Sequence, residues 1–160
     1  MASPPDNASR VYRIVSKRYP PFDGSGAYRF GSRWVSPGRQ VVHTAESYAL
    51  AVLENLVHWR TSSPPKGLVY VAADIPDELE QEELPRRSMP RSDSNDYARY
   101  RAIGDEWFDR GESVALWVPS VISPHEHNVL INQNHPDFAK LKVRKAAPAQ
   151  IDPRLAGPSK

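Results

Sequence analysis

Gly31-Ser32-Arg33-Trp34-Val35-Ser36-Pro37-Gly38, followed by Val41-Val42-His43 and then by Leu53-Glu54, sets an arginine in a glycine-rich turn, a strand behind it, and a carboxylate on the helix that follows. A guanidinium in a glycine loop suits a phosphate or pyrophosphate, because its planar fork meets those oxygens two at a time. A carboxylate on the apolar face of a helix is costly unless it has a partner or a task. Turn, strand and helix in this order point to a nucleotide site with an acid at its centre.

Outward from this stretch, residues 40–45 read as a strand and 46–60 as a helix. Ser47 is its N-cap, Thr61-Ser62-Ser63-Pro64-Pro65 its stop, and Leu50, Leu53 and Val57 its core stripe. Upstream, 10–15 alternates as a strand, with Tyr12 and Ile14 on one side and Val11, Arg13 and Val15 on the other. The connecting 17–32 holds two prolines and three glycines and reads as a loop. Downstream, 67–75 is a strand, 74–83 a solvated acidic turn or helix, and 85–94 a loop. A helix over 95–110 closes at Gly111, with Tyr100, Ile103 and Trp107 on one face. Strands follow at 113–118, 128–132 and 141–145, the last facing outward with Lys142, Arg144 and Lys145. Helices and strands mix without a regular βαβ alternation, which predicts an α+β fold rather than a doubly wound sheet. One domain is expected over residues 10–147, with tails at 1–9 and 148–160.

Composition narrows the function classes. At 160 residues the chain is long enough for one core, and 39% hydrophobic residues set it apart from a disordered regulator. Its 21 basic and 19 acidic residues leave a net charge of +2, no strong pull on nucleic acid. With no cysteine, disulfide and thiolate chemistry are excluded, and a cytoplasmic setting is expected. The polar stretch 1–10 does not read as a signal peptide, and no apolar run reaches membrane-spanning length.

Several side chains carry two readings. Arg13 is an edge-strand residue or a buried anion ligand, and Arg33 an ordinary turn arginine or a phosphate ligand among Gly24, Gly26, Gly31 and Gly38. Glu54 is a site carboxylate or an exposed partner of His58 one turn on, and His43 a core histidine or a site residue. Ser120 follows a proline at a strand end, where a hydroxyl points into a cleft. His125, His127 and His135 lack zinc-site spacing, and no metal is expected. No Gly-x-Ser-x-Gly elbow and no recognised nucleic-acid module occurs.

The ordered motifs resemble the RES-domain toxins of bacterial toxin–antitoxin pairs, named after Arg, Glu and Ser motif residues. That pattern runs roughly G-G-R-W-N-x-x-G, V-V-Y, L-E-x-L-x-H, V-P-S and E-x-N-x-L-x-N-x-x-H-P. This chain has Gly31 to Gly38, Val41-Val42-His43, Leu53-Glu54-Asn55-Leu56-Val57-His58, Val118-Pro119-Ser120, Glu126-His127-Asn128-Val129-Leu130-Ile131-Asn132 and His135-Pro136. The likeness runs from about residue 13 to 137. It implies a fold similar to ADP-ribosyltransferases, a mixed β core with flanking helices, and a cleft that takes NAD⁺ as substrate. In that reading Arg13 and Arg33 hold the NAD⁺ phosphates, Glu54 is the catalytic acid residue, and Ser120 positions nicotinamide or ribose. Tyr28 and Asn128 line the cleft, and His43 stands where the family has tyrosine, able to stack on nicotinamide or to donate a hydrogen bond. Val35 replaces the usual asparagine. The chemistry agrees, since breaking the nicotinamide–ribose bond creates an oxocarbenium-like centre that a carboxylate stabilises, while arginines on the pyrophosphate turn remote binding into positioning.

The resemblance further implies a toxin that arrests growth by consuming NAD⁺. Because His43 departs from the family tyrosine, the acceptor expected here is a protein, such as an enzyme of nucleotide biosynthesis. Hydrolysis or phosphorolysis that depletes NAD⁺ is the alternative, and an RNA-binding or pure interaction module a remote one. The implied partner is a cognate antitoxin with a helix-turn-helix DNA-binding part, and direct contact with nucleic acid or membrane is not expected.

Overall fold

The structure, a computed structural model, describes residues 2–59, 65–91 and 97–156. The elements run β1 (Ala8–Ser16), α1 (Ser25–Phe30), β2 (Val41–Ala45), α2 (Tyr48–Leu56), β3 (Leu68–Pro76), β4 (Gln81–Glu83), α3 (Tyr97–Arg110), β5 (Ala115–Pro119), β6 (His127–Asn132), β7 (Lys142–Val143) and β8 (Ala147–Pro148). The strands form one sheet in the order β4-β5-β6-β2-β1-β3-β7, with β8 also on β3. β4 and β5 are parallel and the other pairings antiparallel, so the architecture is α+β, as expected.

The middle of the sheet opens the site. β1 pairs with β3 continuously from Ala8–Pro76 to Ser16–Leu68, and β2 with β6 from Val41–Asn132 to Ala45–Asn128. Between β1 and β2 the register holds at Tyr12–Ala45. From Arg13 onward the two strands part, and the gap is the floor of a cleft. Val41, Val42, Val129, Leu130 and Ile131 are all buried because both faces of the sheet are covered. Val42, Val129 and Ile131 pack with Val11 and Ile75 on one side, while Val41 and Leu130 pack with Trp34, Tyr100 and Trp107 on the other.

α2 corrects the expected helix in length and in face. Ser47 caps it as expected, its Oγ accepting from the Leu50 N–H at 3.1 Å, but the helix ends at Leu56. Of the expected stripe only Leu50 is buried, whereas Leu53 and Val57 are 41% and 57% exposed. The face turned inward is Leu50, Ala51 and Val52, packed on Ile14 and Ala45. Small Ala51 lets the helix approach the sheet, and Asn55 Nδ2 donates to the Ile14 carbonyl oxygen at 3.0 Å. Thr61 to Pro64 and the first residues of the expected helix over 95–110 lie outside the described residues.

Other expectations shift for local reasons. The loop over 17–32 contains α1, which buries Ala27. The acidic stretch over 74–83 is not uniformly solvated, since Asp74 is wholly buried in β3 between Arg10 and Arg144. The tail expected from 148 starts later. Pro148 pairs with Val69, the Ala149 N–H donates to the Leu68 carbonyl oxygen, and Ala149 and Ile151 cover the α2 cluster.

α3 lies almost on the backbone of the Arg33 turn. A Cβ on Gly104 would stand 1.9 Å from the Trp34 carbonyl oxygen, so only glycine fits. Gly104→Ala is therefore expected to lower stability by about 3 kcal/mol, because backbone meets backbone and neither side yields easily. Urea unfolding checks this, and an unchanged midpoint would refute the close packing.

Candidate active site

The cleft between β1, β2, α2 and the Arg33 turn holds about 530 Å³. Arg13, Arg33, His43, Glu54 and Asn128 all line it, so the structure brings together most of the residues singled out in the sequence.

Arg13 projects from β1 into the gap between the strands. β1 lies inside the sheet, which removes the edge-strand reading. Its Nη1 donates to the His43 carbonyl oxygen at 3.2 Å, and its buried Nε has no hydrogen-bond partner among the described residues. Burial pulls its pKa below the ordinary guanidinium value, with Asp23 opposing weakly. A buried, half-satisfied cation of this kind is suited to an incoming anion.

Arg33 rides on a turn built to stay still. Gly31 and Gly38 bound it in the left-handed region, at φ 68° and 97°. Within it, Ser32 Oγ accepts from the Trp34 and Val35 N–H groups at 3.1 and 3.2 Å. α3 grips it from outside. Arg101 Nε donates to the Ser32 carbonyl oxygen at 2.8 Å, and the Asp105 carboxylate accepts from Ser36 N at 2.8 Å and Ser36 Oγ at 2.6 Å. The Arg33 guanidinium lies 4.7 Å from the centre of the Tyr97 ring and 5.0 Å from that of Tyr100. Among the described ion pairs none involves Arg33, which leaves its fork available.

In the same cleft, Glu54 Oε1 accepts from Ser120 Oγ at 3.3 Å. Ser120 is buried at the end of β5 and its Oγ also accepts from Ser123 N at 3.1 Å. The neighbouring Glu126 ties this loop to α2, for its carboxylate accepts from Ser47 Oγ at 2.7 Å and Ser123 Oγ at 2.8 Å. Those hydroxyls, Ser47 first, hold Glu126 below its usual pKa. Glu126 thereby fastens the N-cap of the Glu54 helix to the Ser120 loop. The i+4 partner reading of Glu54 finds no support, since no described ion pair joins it to exposed His58.

Asn128 faces the cleft from β6, opposite Ala45. Tyr28 does not join the cleft lining. α1 buries Ala27, and the next side chain turns about 100° away, leaving Tyr28 54% exposed. The three downstream histidines do not converge on one point. His125 is exposed, His127 sits between Glu46 at 3.0 Å and Glu83 at 3.3 Å, and His135 Nδ1 accepts from Asp137 N at 3.0 Å. Ser32, Tyr97, Arg101, Asp105 and Glu126 were not singled out as site residues. The hydroxyl of Ser32 two residues before Trp34 is the one local signal, an ST turn.

His43 Nε2 lies 2.8 Å from Ser32 Oγ. Burial, then the charge of Arg13, pushes its pKa down to about 4, against a smaller raising effect of the Val41 backbone. Because the folded value lies below the ordinary 6.5, the unfolded chain takes the proton first as pH falls. Stability from His43 is then complete above 6.5 and lost between 6.5 and about 4, by at most about 3 kcal/mol. Carboxylates held low, such as Asp23 and Asp74, act in a lower window, below their ordinary 3.8. Urea midpoints at pH 7.5 and 5 should fall for the wild type and stay nearly level for His43→Gln. Equal slopes in both proteins would contradict the assignment.

The chain matches the RES domain family over residues 10–152. It is 36% identical over 136 residues to the Prs ADP-ribosylating toxin of Sphingobium sp., covering 82% of this chain and 84% of that protein. It is 35% identical over 155 residues to the Toxin Res of Photorhabdus laumondii, covering 91% and 96%. Its fold matches a chain in the crystal structure of the M. tuberculosis MbcT–MbcA toxin–antitoxin complex with a TM-score of 0.73 at 17% identity, over 93% of this chain and 87% of that one. A family match over residues 10–152, together with relatives 35–36% identical over most of both chains, means that this chain belongs to the RES-domain family.

Proposed function

We propose that this chain is the toxin of a toxin–antitoxin pair, which cleaves the nicotinamide–ribose bond of NAD⁺ and passes ADP-ribose to a protein acceptor. The observation that carries the reading is one cleft lined both by two arginines that form no ion pair among the described residues and by Glu54, which is bonded to Ser120. Arg13 and Arg33 take the pyrophosphate, and Asn128 borders the ribose end. Nicotinamide leaves with the bonding electron pair. The positive charge that develops at the ribose carbon lies beside the Glu54 carboxylate. The acceptor then bonds to that carbon and gives up its proton.

The name of the Sphingobium relative, which ADP-ribosylates Prs, supports a protein acceptor of that kind. The toxin–antitoxin complex of the fold neighbour supports an antitoxin partner, here with a helix-turn-helix part that masks the cleft. No helix among the described residues is long and apolar enough to cross a membrane, and the reading places the toxin in the cytoplasm with its substrate.

The test is NAD⁺ loss by the purified chain in buffer, with inorganic phosphate, and with a cell lysate, followed by mass spectrometry. Modified protein in the lysate arm is the expected result. Free ADP-ribose or its phosphate without modified protein would make the enzyme a hydrolase or phosphorylase. No loss in any arm would remove the enzymatic reading.

A further inference from the structure

His43 stands between the two arginines. Its carbonyl oxygen accepts from Arg13 Nη1, and its ring meets the hydroxyl of Ser32, the residue before Arg33. The direction of that ring–hydroxyl bond follows from counting. A serine oxygen offers two lone pairs and one proton. The N–H groups of Trp34 and Val35 donate to Ser32 Oγ and occupy both lone pairs. A backbone N–H can only donate, so the hydroxyl has its proton alone left to give, and His43 Nε2 receives it at 2.8 Å.

We infer that His43 is held as the neutral Nδ1–H tautomer, accepting from Ser32 at Nε2, and that this bond positions the Arg33 turn over the β1–β2 gap. His43 is then a positioning residue for Arg33. It is not the acid, the base or the ADP-ribose acceptor that its place in the cleft invites. The alternatives each carry a penalty. A proton on Nε2 would point at an oxygen with no free lone pair, and an imidazolium would also face the Arg13 guanidinium. The other ionisable groups lining the cleft are Arg13 on β1, Tyr12 beside it, Arg33 on the turn, Glu54 on α2, His58 in the turn after it, and Tyr97 on α3. Among the described residues, His58 is the one other imidazole there.

That the positioned arginine serves NAD⁺ rests on the function proposed above, so the experiment has two independent arms. Imidazole ¹⁵N NMR of the full chain, with the His43 signals assigned by their loss in His43→Gln and those of His58 by their loss in His58→Gln, reads the tautomer without turnover. The Nδ1–H form, unchanged from pH 8 to 5, is expected. An Nε2–H form or an imidazolium at neutral pH would overturn the inference. In the kinetic arm, Ser32→Ala and His43→Phe should each raise KM for NAD⁺ about tenfold with kcat nearly constant. The double variant should be no worse than either single one, because both remove one bond. His43→Gln, whose amide oxygen can take the place of Nε2, should restore most of the affinity, which also guards against a fold defect in His43→Phe. A kcat that follows a His43 titration, or additive losses, would refute the positioning role. Inactivity toward NAD⁺ in the wild type would count against the proposed function alone, and the NMR arm would still decide the tautomer.

Discussion

Glu54→Gln is expected to reduce NAD⁺ consumption by about 10²–10³-fold and to abolish growth arrest, while the unfolding midpoint stays within about 0.5 kcal/mol of wild type. The substitution keeps the size of the side chain and an oxygen for Ser120 Oγ, which donates to Glu54 Oε1 at 3.3 Å. What it removes is the negative charge that the proposed mechanism sets beside the oxocarbenium-like centre. Glu54 sits on α2 with Ala51 and Asn55 as neighbours on the cleft wall, and Asn55 bonds the Ile14 carbonyl oxygen, not Glu54. Initial rates and the urea midpoint, measured on the same preparation, separate chemistry from folding. A variant that retains the wild-type rate would show that another group carries the charge stabilisation. Arg33→Ala is expected to give a contrasting pattern, a higher KM, because the role proposed for it is binding.

Asp74→Ala should cost about 3–5 kcal/mol of stability, the largest loss expected from one polar substitution in this chain. Asp74 is wholly buried, directly opposite Arg10 across the β1–β3 ladder. Its carboxylate accepts from Arg10 Nε at 2.6 Å, Arg10 Nη2 at 3.1 Å and Arg144 Nη2 at 2.7 Å. The Arg10 hydrogen bond is the main reason that its pKa lies below the usual value. Truncation strands the buried Arg10 guanidinium without its counter-charge, and that stranded charge is the source of the cost. The same bridge holds Arg144 and the short β7 to the edge of β3, so the C-terminal segment loosens too. A loss under about 1 kcal/mol would mean that water reaches Arg10 and that the pair is not sealed.

Local reading found what depends on nearest neighbours. The Ser47 cap, the strands around Val41-Val42-His43 and the Tyr100–Trp107 face of α3 all follow from spacing and side-chain type, and the structure has them. The inward face of α2 did not follow. Two overlapping apolar stripes run along that helix, and the choice between them fell to Ala51 and Asn55 meeting β1, not to the larger Leu53 and Val57. Tyr28 failed for the same reason on α1, where a six-residue helix buries a single alanine. Asp74 looked like one more member of an acidic run, because nothing beside it in the chain reveals two arginines arriving from β1 and from beyond β7.

By itself, the order of residues determined the chemical inventory: a guanidinium in a stiff glycine turn, another on a strand, a carboxylate on a helix and a hydroxyl after a proline. Those properties are covalent or confined to a few residues, so they are legible without a fold. Only the tertiary structure decided which of them meet. The parting of β1 from β2 after Tyr12–Ala45 exposes Arg13, and α3 presses the Arg33 turn into place. Glu126 ties the loop that brings Ser120 to Glu54, and Ser32 takes the free nitrogen of His43. Each of these contacts joins separate segments of the chain, and its existence depends on how helices and sheet share one core, a balance of many weak packing terms that no short stretch of sequence contains.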